Sequence, residues 1–162
     1  MARRPVGPID LPRLLLVALR EVAAILAGDY SRIEGAHGLV EDDGGRVLVI
    51  HPVFPPREWN LPGGKVGKRE APHEAAAREV FEETGIRVEI VRCLMVDAHR
   101  SRSTDFIFGC RPIGGELAPQ PEEIDEVRWV TRAEAAQLEP KLGALLALLP
   151  AADEPMRYRG DA

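Results

Sequence analysis

Apolar positions recur at helical spacing at both ends of this chain and in the middle, and in alternating or continuous runs between. Leu11, Leu14, Leu15, Ala18, Val22, Ile25 and Leu26 fall on one stripe and predict a helix over residues 11–27, ended by Gly28. Strands are expected over residues 33–41 and 46–53, separated by the turn cluster Glu41-Asp42-Asp43-Gly44-Gly45. The second of these carries Val47-Leu48-Val49-Ile50, a continuous apolar run suited to a strand buried on both faces. A short strand over residues 59–62 leads into the Gly63-Gly64 pair. Further strands are expected over residues 88–96, 105–111 and 124–130, with loops at 97–103 and 112–121. Thr131 and Glu134 form a capping box that opens a helix, and Leu142, Leu145, Leu146 and Leu149 mark another over residues 140–149. Residues 1–10 and 150–162 lack pattern.

The central helix is the most informative stretch. Pro72 suits a first helical position and Gly85 the left-handed residue just past the end. At about 100° per residue, Ala77, Val80, Phe81 and Thr84 share one face, the expected core side. Glu79, Glu82 and Glu83 share the opposite face within roughly 100°. Like charges three and four residues apart destabilise an isolated helix, so a hard divalent cation is the natural counter-charge. A plain solvated acidic face is the bland alternative.

Composition narrows the choice. One domain is expected of 162 residues. A net charge of −5 and 5% aromatics argue against a dedicated nucleic-acid binder. Cys93 and Cys110 stand in no C-x-x-C pair and read as reduced, largely buried thiols, which fits a reducing cytoplasm. The apolar run at residues 14–19 is broken by Arg20-Glu21 and is too short for a signal core or a bilayer span, so no membrane partner is expected. The helix at 11–27 is instead expected to pack on its own domain or to form a homodimer contact. A phosphate-binding loop is excluded at Gly63 to Lys68: three residues, not four, separate Gly63 from Gly67, and Arg69 replaces the hydroxyl residue.

Gly64, then five residues, Glu70, seven residues, and Arg78-Glu79-Val80-x-Glu82-Glu83-x-Gly85-Ile86 match nine specified positions over 23 residues. This resembles, at every fixed position, the signature of the Nudix (MutT-like) hydrolases, and Trp59-Asn60-Leu61-Pro62-Gly63-Gly64 resembles the family's usual entry into that box. The resemblance implies an α+β fold: a three-layer α/β/α sandwich with a mixed central sheet, here with an added N-terminal amphipathic helix. The expected division is 1–28 arm and helix, 29–150 Nudix domain, 151–162 flexible tail.

The resemblance also implies the chemistry: Mg²⁺-dependent (or Mn²⁺-dependent) cleavage by water of a diphosphate in a nucleoside diphosphate linked to another group. Glu79 and Glu83 then look like the core metal ligands, Glu82 a further or water-mediated one, and Glu79 the general base. Arg78 would orient a box carboxylate together with Glu70. The Gly63 carbonyl often completes the metal sphere in similar proteins. An extra loop carboxylate is expected from Glu122 or Glu123, and phosphate or base contacts from His99, Arg100 and Arg102. His37, His51 and His73 read as structural. Downstream markers of particular substrates do not stand at Arg102, Ser103 or Thr104, which leaves nucleoside triphosphates, nucleotide sugars, ADP-ribose and capped RNA open. The alternative is a nucleotide-binding or regulatory module that has lost turnover; such modules usually break the box, and this box is whole.

Overall fold

A computed structural model describes residues 30–98, 103–150 and 155–160. The helix expected over residues 11–27, with its dimer contact, and the candidate residues His99, Arg100 and Arg102 lie outside these.

Seven strands and three helices are described. In chain order they are β1 (Tyr30–Val40), β2 (Val47–Pro52), β3 (Gly63–Gly67), α1 (Pro72–Thr84), β4 (Ile86–Ala98), β5 (Ser103–Gly115), β6 (Ile124–Val130), α2 (Arg132–Leu138), α3 (Pro140–Leu148) and β7 (Arg157–Gly160). A five-stranded sheet runs β3-β1-β5-β4-β7, and β2 pairs with β6 in a second, antiparallel ribbon. The large sheet is mixed: β1 lies parallel to β5 and β4 parallel to β7, while β3 and β5 run antiparallel to β1 and β4 respectively.

Strand alternation sends side chains into two cores. Ala36, Val40, Leu48, Val66, Phe108 and Cys110 pack with Ala75, Ala76 and Val80 of α1. Leu39, Val47, Val49, Leu94 and Ile107 pack on the other side with Ala135 of α2 and Leu142 and Leu146 of α3. Both faces of β2 are thus covered, which is why its apolar run is continuous. The outcome is the expected three-layer sandwich. Both cysteines are free; burial pushes the Cys110 thiol up to about 12, leaving it inert.

Four local expectations are corrected. The strand expected at 59–62 is only a single bridge between Asn60 and Ile50, and regular pairing starts at Gly63. A Cβ at Gly63 would sit 2.5 Å from the Ala36 carbonyl, and one at Gly64 would sit 2.5 Å from Glu79 Cδ, so the pair permits a strand no larger residue could form. The loop expected from Pro112 begins later, since β5 runs to Gly115, where Gly114 and Gly115 take φ of 146° and 100°. The tail is not patternless throughout: Arg157–Gly160 adds β7 beside β4. Finally, the buried face of α1 is rotated. Ala75, Ala76, Val80, Glu83 and Thr84 are buried, Ala77 is half-buried and Phe81 is 49% exposed.

Thr131 accepts from the Glu134 N–H while Glu134 reaches back to the Thr131 N–H at 2.7 Å. Thr131→Ala is expected to cost about 1 kcal/mol. A urea midpoint unchanged from the parent would show that this cap adds nothing.

Among the described residues no helix is long and apolar enough to cross a membrane.

Candidate active site

The rotation of α1 sets the site. Its buried arc runs from Ala75 to Thr84, and at about 100° per residue Glu83 falls near the middle of it and Glu79 beside it. The three glutamates therefore do not share a solvent face. Glu83 is 8% exposed, while Glu82 stays half-buried at the edge. Val80 and Thr84 anchor the helix; the Thr84 hydroxyl donates to the Val80 carbonyl at 2.5 Å and accepts from the Ile86 N–H at 3.1 Å. Gly85, at φ 77°, then turns the chain into β4.

Glu83 accepts a hydrogen bond from the Gly63 N–H at 2.8 Å. That bond fixes the tip of β3 against the C-terminal end of α1, with the Gly64 backbone close over Glu79. Burial, with the charges of Glu79, Glu123 and Glu82 added to it, pushes the Glu83 carboxyl up to about 8. Glu79 is shifted the same way, again first by burial, against the pull of Arg78. The charge of Glu123, in the loop before β6, bears on both. The loop is tied to the end of β2 by the Val53 N–H, which donates to the Glu123 carbonyl at 2.8 Å.

Arg78 holds the other side. Its Nε and one terminal nitrogen donate to the two Glu70 oxygens at 2.8 and 3.0 Å. The second terminal nitrogen donates to Glu79 at 2.8 Å and Glu82 at 3.0 Å. The Lys65 carbonyl accepts from Arg78 at 3.1 Å. Glu70 is in turn bound by the Gly67 N–H at 3.0 Å, and the Arg78 hydrogen bonds hold its carboxyl below the usual range. The expected pairing of Arg78 with Glu70 and a box carboxylate is thus present.

Among the described residues no three His, Cys, Asp or Glu side chains close a ready metal cage. Arg78 occupies Glu79 and Glu82 on one side. The donor set still fits a hard divalent cation. It is all oxygen, it includes two desolvated carboxylates four residues apart, and a cation would offset the burial, with the like charges added to it, that raises Glu83.

A family model described as "NUDIX domain" matches residues 32–149. The chain belongs to the Nudix family. A MutT-like protein of Streptomyces ambofaciens is 37% identical over 101 residues, covering 62% of this chain and 64% of that protein. An NAD-capped RNA hydrolase of Deinococcus radiodurans is 31% identical over 116 residues, covering 71% of this chain and 41% of that protein. This chain spans less than two thirds of the length of either relative. The Nudix hydrolase structure from Nitrosomonas europaea superposes with a TM-score of 0.63 at 20% identity, covering 82% of this chain and 79% of that one. An ADP-ribose pyrophosphatase from Streptococcus suis gives 0.59 at 21%, covering 79% and 98%. Both structural likenesses establish the Nudix fold.

His37, read from the sequence as structural, stands opposite Gly63 in the β1–β3 register. Only the pairing of strands distant in sequence brings it there, and no spacing rule signals it. The His51 ring packs at 5.2 Å against that of Trp59, and one ring nitrogen lies 3.0 Å from the Arg57 carbonyl.

Proposed function

We propose that this Nudix domain hydrolyses, with Mg²⁺ or Mn²⁺, the diphosphate linkage of a nucleoside diphosphate joined to another moiety. The observation that carries the reading is the buried Glu83 beside Glu79 and Glu123, an arrangement of like charges that costs the free protein stability. Bound cations would lower the pKa of an attacking water and neutralise charge developing on the phosphoryl oxygens. Glu79 and Glu83 would hold them, with Glu82 as a further or water-mediated ligand, Glu123 as the loop carboxylate and the Gly63 carbonyl completing the sphere. Glu79 would also take the proton from water. Arg78, fixed by Glu70, orients Glu79 and Glu82. Arg100, Arg102 and His99 are proposed to touch phosphates or base.

The substrates named for relatives, NAD-capped RNA and ADP-ribose, share this linkage and support the class. A panel of nucleoside triphosphates, nucleotide sugars, ADP-ribose and NAD-capped RNA with Mg²⁺ or Mn²⁺, read as released phosphate, pyrophosphate or nucleoside monophosphate, tests it. Binding without turnover of any of them would favour the silent module instead.

Arg78→Lys is expected to lower kcat about 10- to 100-fold, because an ammonium cannot reproduce the forked contact with Glu70 while reaching Glu79 and Glu82. Unaltered kcat would remove Arg78 from its positioning role.

A further inference from the structure

The sheet face opposite α1 carries a second polar element across from Gly63. In β1, Ala36 and Val40 face α1, whereas Leu39 faces the other core, and His37 shares the side of Leu39. Asp105 stands opposite Gly35 in the β1–β5 register, on the side of Ile107. Its carboxylate lies directly over Gly35, where a Cβ would collide with it and would sit 3.3 Å from His37 Nε2.

The two side chains are 25% and 38% exposed. His37 Nδ1 is buried and has no hydrogen-bond partner. A proton there would be a buried donor without an acceptor, so the proton belongs on Nε2. Nε2 stands 3.9 Å from Asp105 Oδ1. That exceeds direct hydrogen-bond length, about 2.7–3.2 Å, but admits one oxygen atom in bonding contact with both. The bridging group must accept from the imidazole and donate to the carboxylate. A hydroxyl does both at once.

We infer that His37 and Asp105 form a hydroxyl-reading slot for the ribose of the nucleotide substrate, and so set a preference for ribo- over deoxynucleotides. The placement agrees with the chemistry. His37 faces Gly63 across the β1–β3 pair, about 5 Å away. Gly63 is the residue bound to Glu83. In a nucleoside diphosphate the first group beyond the phosphates is the sugar. Gly35 has a matching role, since its missing side chain lets Asp105 lean toward His37.

The inference rests on the hydrolase reading, and two readouts separate them. With the full chain and Mg²⁺, kcat/KM is compared for ATP, 2′-deoxyATP and 3′-deoxyATP, and for the guanosine series. Affinity for the same nucleotides is measured by calorimetry in Ca²⁺, which reads the preference whether or not turnover occurs. The expected result is at least a tenfold preference for ribose over one of the deoxy forms, identifying which hydroxyl is held. In Asp105→Ala and His37→Phe the ratio should fall to within about twofold of one. Asp105→Asn, nearly isosteric, serves if the alanine variant fails to fold, and is expected to lower the ratio. Equal affinity of the parent for ribo- and deoxynucleotides, or an undiminished ratio in the folded variants, overturns the slot. Absence of turnover with the binding preference intact overturns only the hydrolase reading.

Discussion

Glu79→Gln and Glu83→Gln are each expected to reduce hydrolysis by about 10²–10⁴-fold at saturating Mg²⁺ while the protein stays folded. The amide keeps the size of the side chain and can still accept from the Gly63 N–H at position 83. It loses the negative charge, and with it the grip on a hard cation. Glu79→Gln should fall at the upper end, since one substitution removes both a proposed ligand and the proposed base. Kinetics over a wide Mg²⁺ range distinguish the two. For Glu83→Gln, higher Mg²⁺ should recover part of the rate; for Glu79→Gln it should not. Near-parental turnover by both variants would dissolve the proposed site.

The contrast between these residues and the rest of α1 shows how far the sequence could be read. The helix limits follow from local chemistry: Pro72 starts it and the left-handed Gly85 stops it, and neither depends on distant contacts. The box spacing was equally legible, because it is a property of one contiguous stretch. The helix orientation differs from the one its hydrophobic pattern predicts. A hydrophobic wheel puts Phe81 inside and three glutamates outside, but Phe81 is exposed and Glu83 buried. The wheel assumes that polar side chains seek water, and here Gly63 and Arg78 receive them instead. That His37 meets Asp105 is not legible in the sequence for another reason. They lie far apart in the sequence and meet only through the parallel pairing of β1 with β5. Long-range register of that kind leaves no periodic mark in either segment. Glu123 lies between: its neighbourhood is anticipated from the family, while the tie of its backbone carbonyl to the Val53 N–H comes from a long-range contact.

Stability of the metal-free protein should depend on pH in a direction opposite to ordinary surface carboxylates. The Glu83 carboxyl rises from 4.5 to about 8 on folding. Between those values the folded protein holds a proton that the unfolded chain has released, so stability falls as pH rises. The contribution is complete below about pH 4.5 and lost by about pH 8, and at 1.36 kcal/mol per unit it amounts to at most about 5 kcal/mol. Glu79 is shifted in the same direction and adds to the slope. Glu70 is shifted oppositely; its contribution is present above the ordinary carboxylate range and lost in acid, which confines it to a separate limb. Urea midpoints measured in EDTA at pH 6 and pH 8 should therefore drop for the parent. In Glu83→Gln the drop should shrink and the pH 8 value should exceed the parent's, because a neutral amide carries no ionisation penalty. Added Mg²⁺ should restore the parent at pH 8, since a cation selects the deprotonated site, and should do much less for the variant. Parallel slopes in EDTA for parent and variant would mean that Glu83 ionises without penalty and that its burial does not mark a cation site.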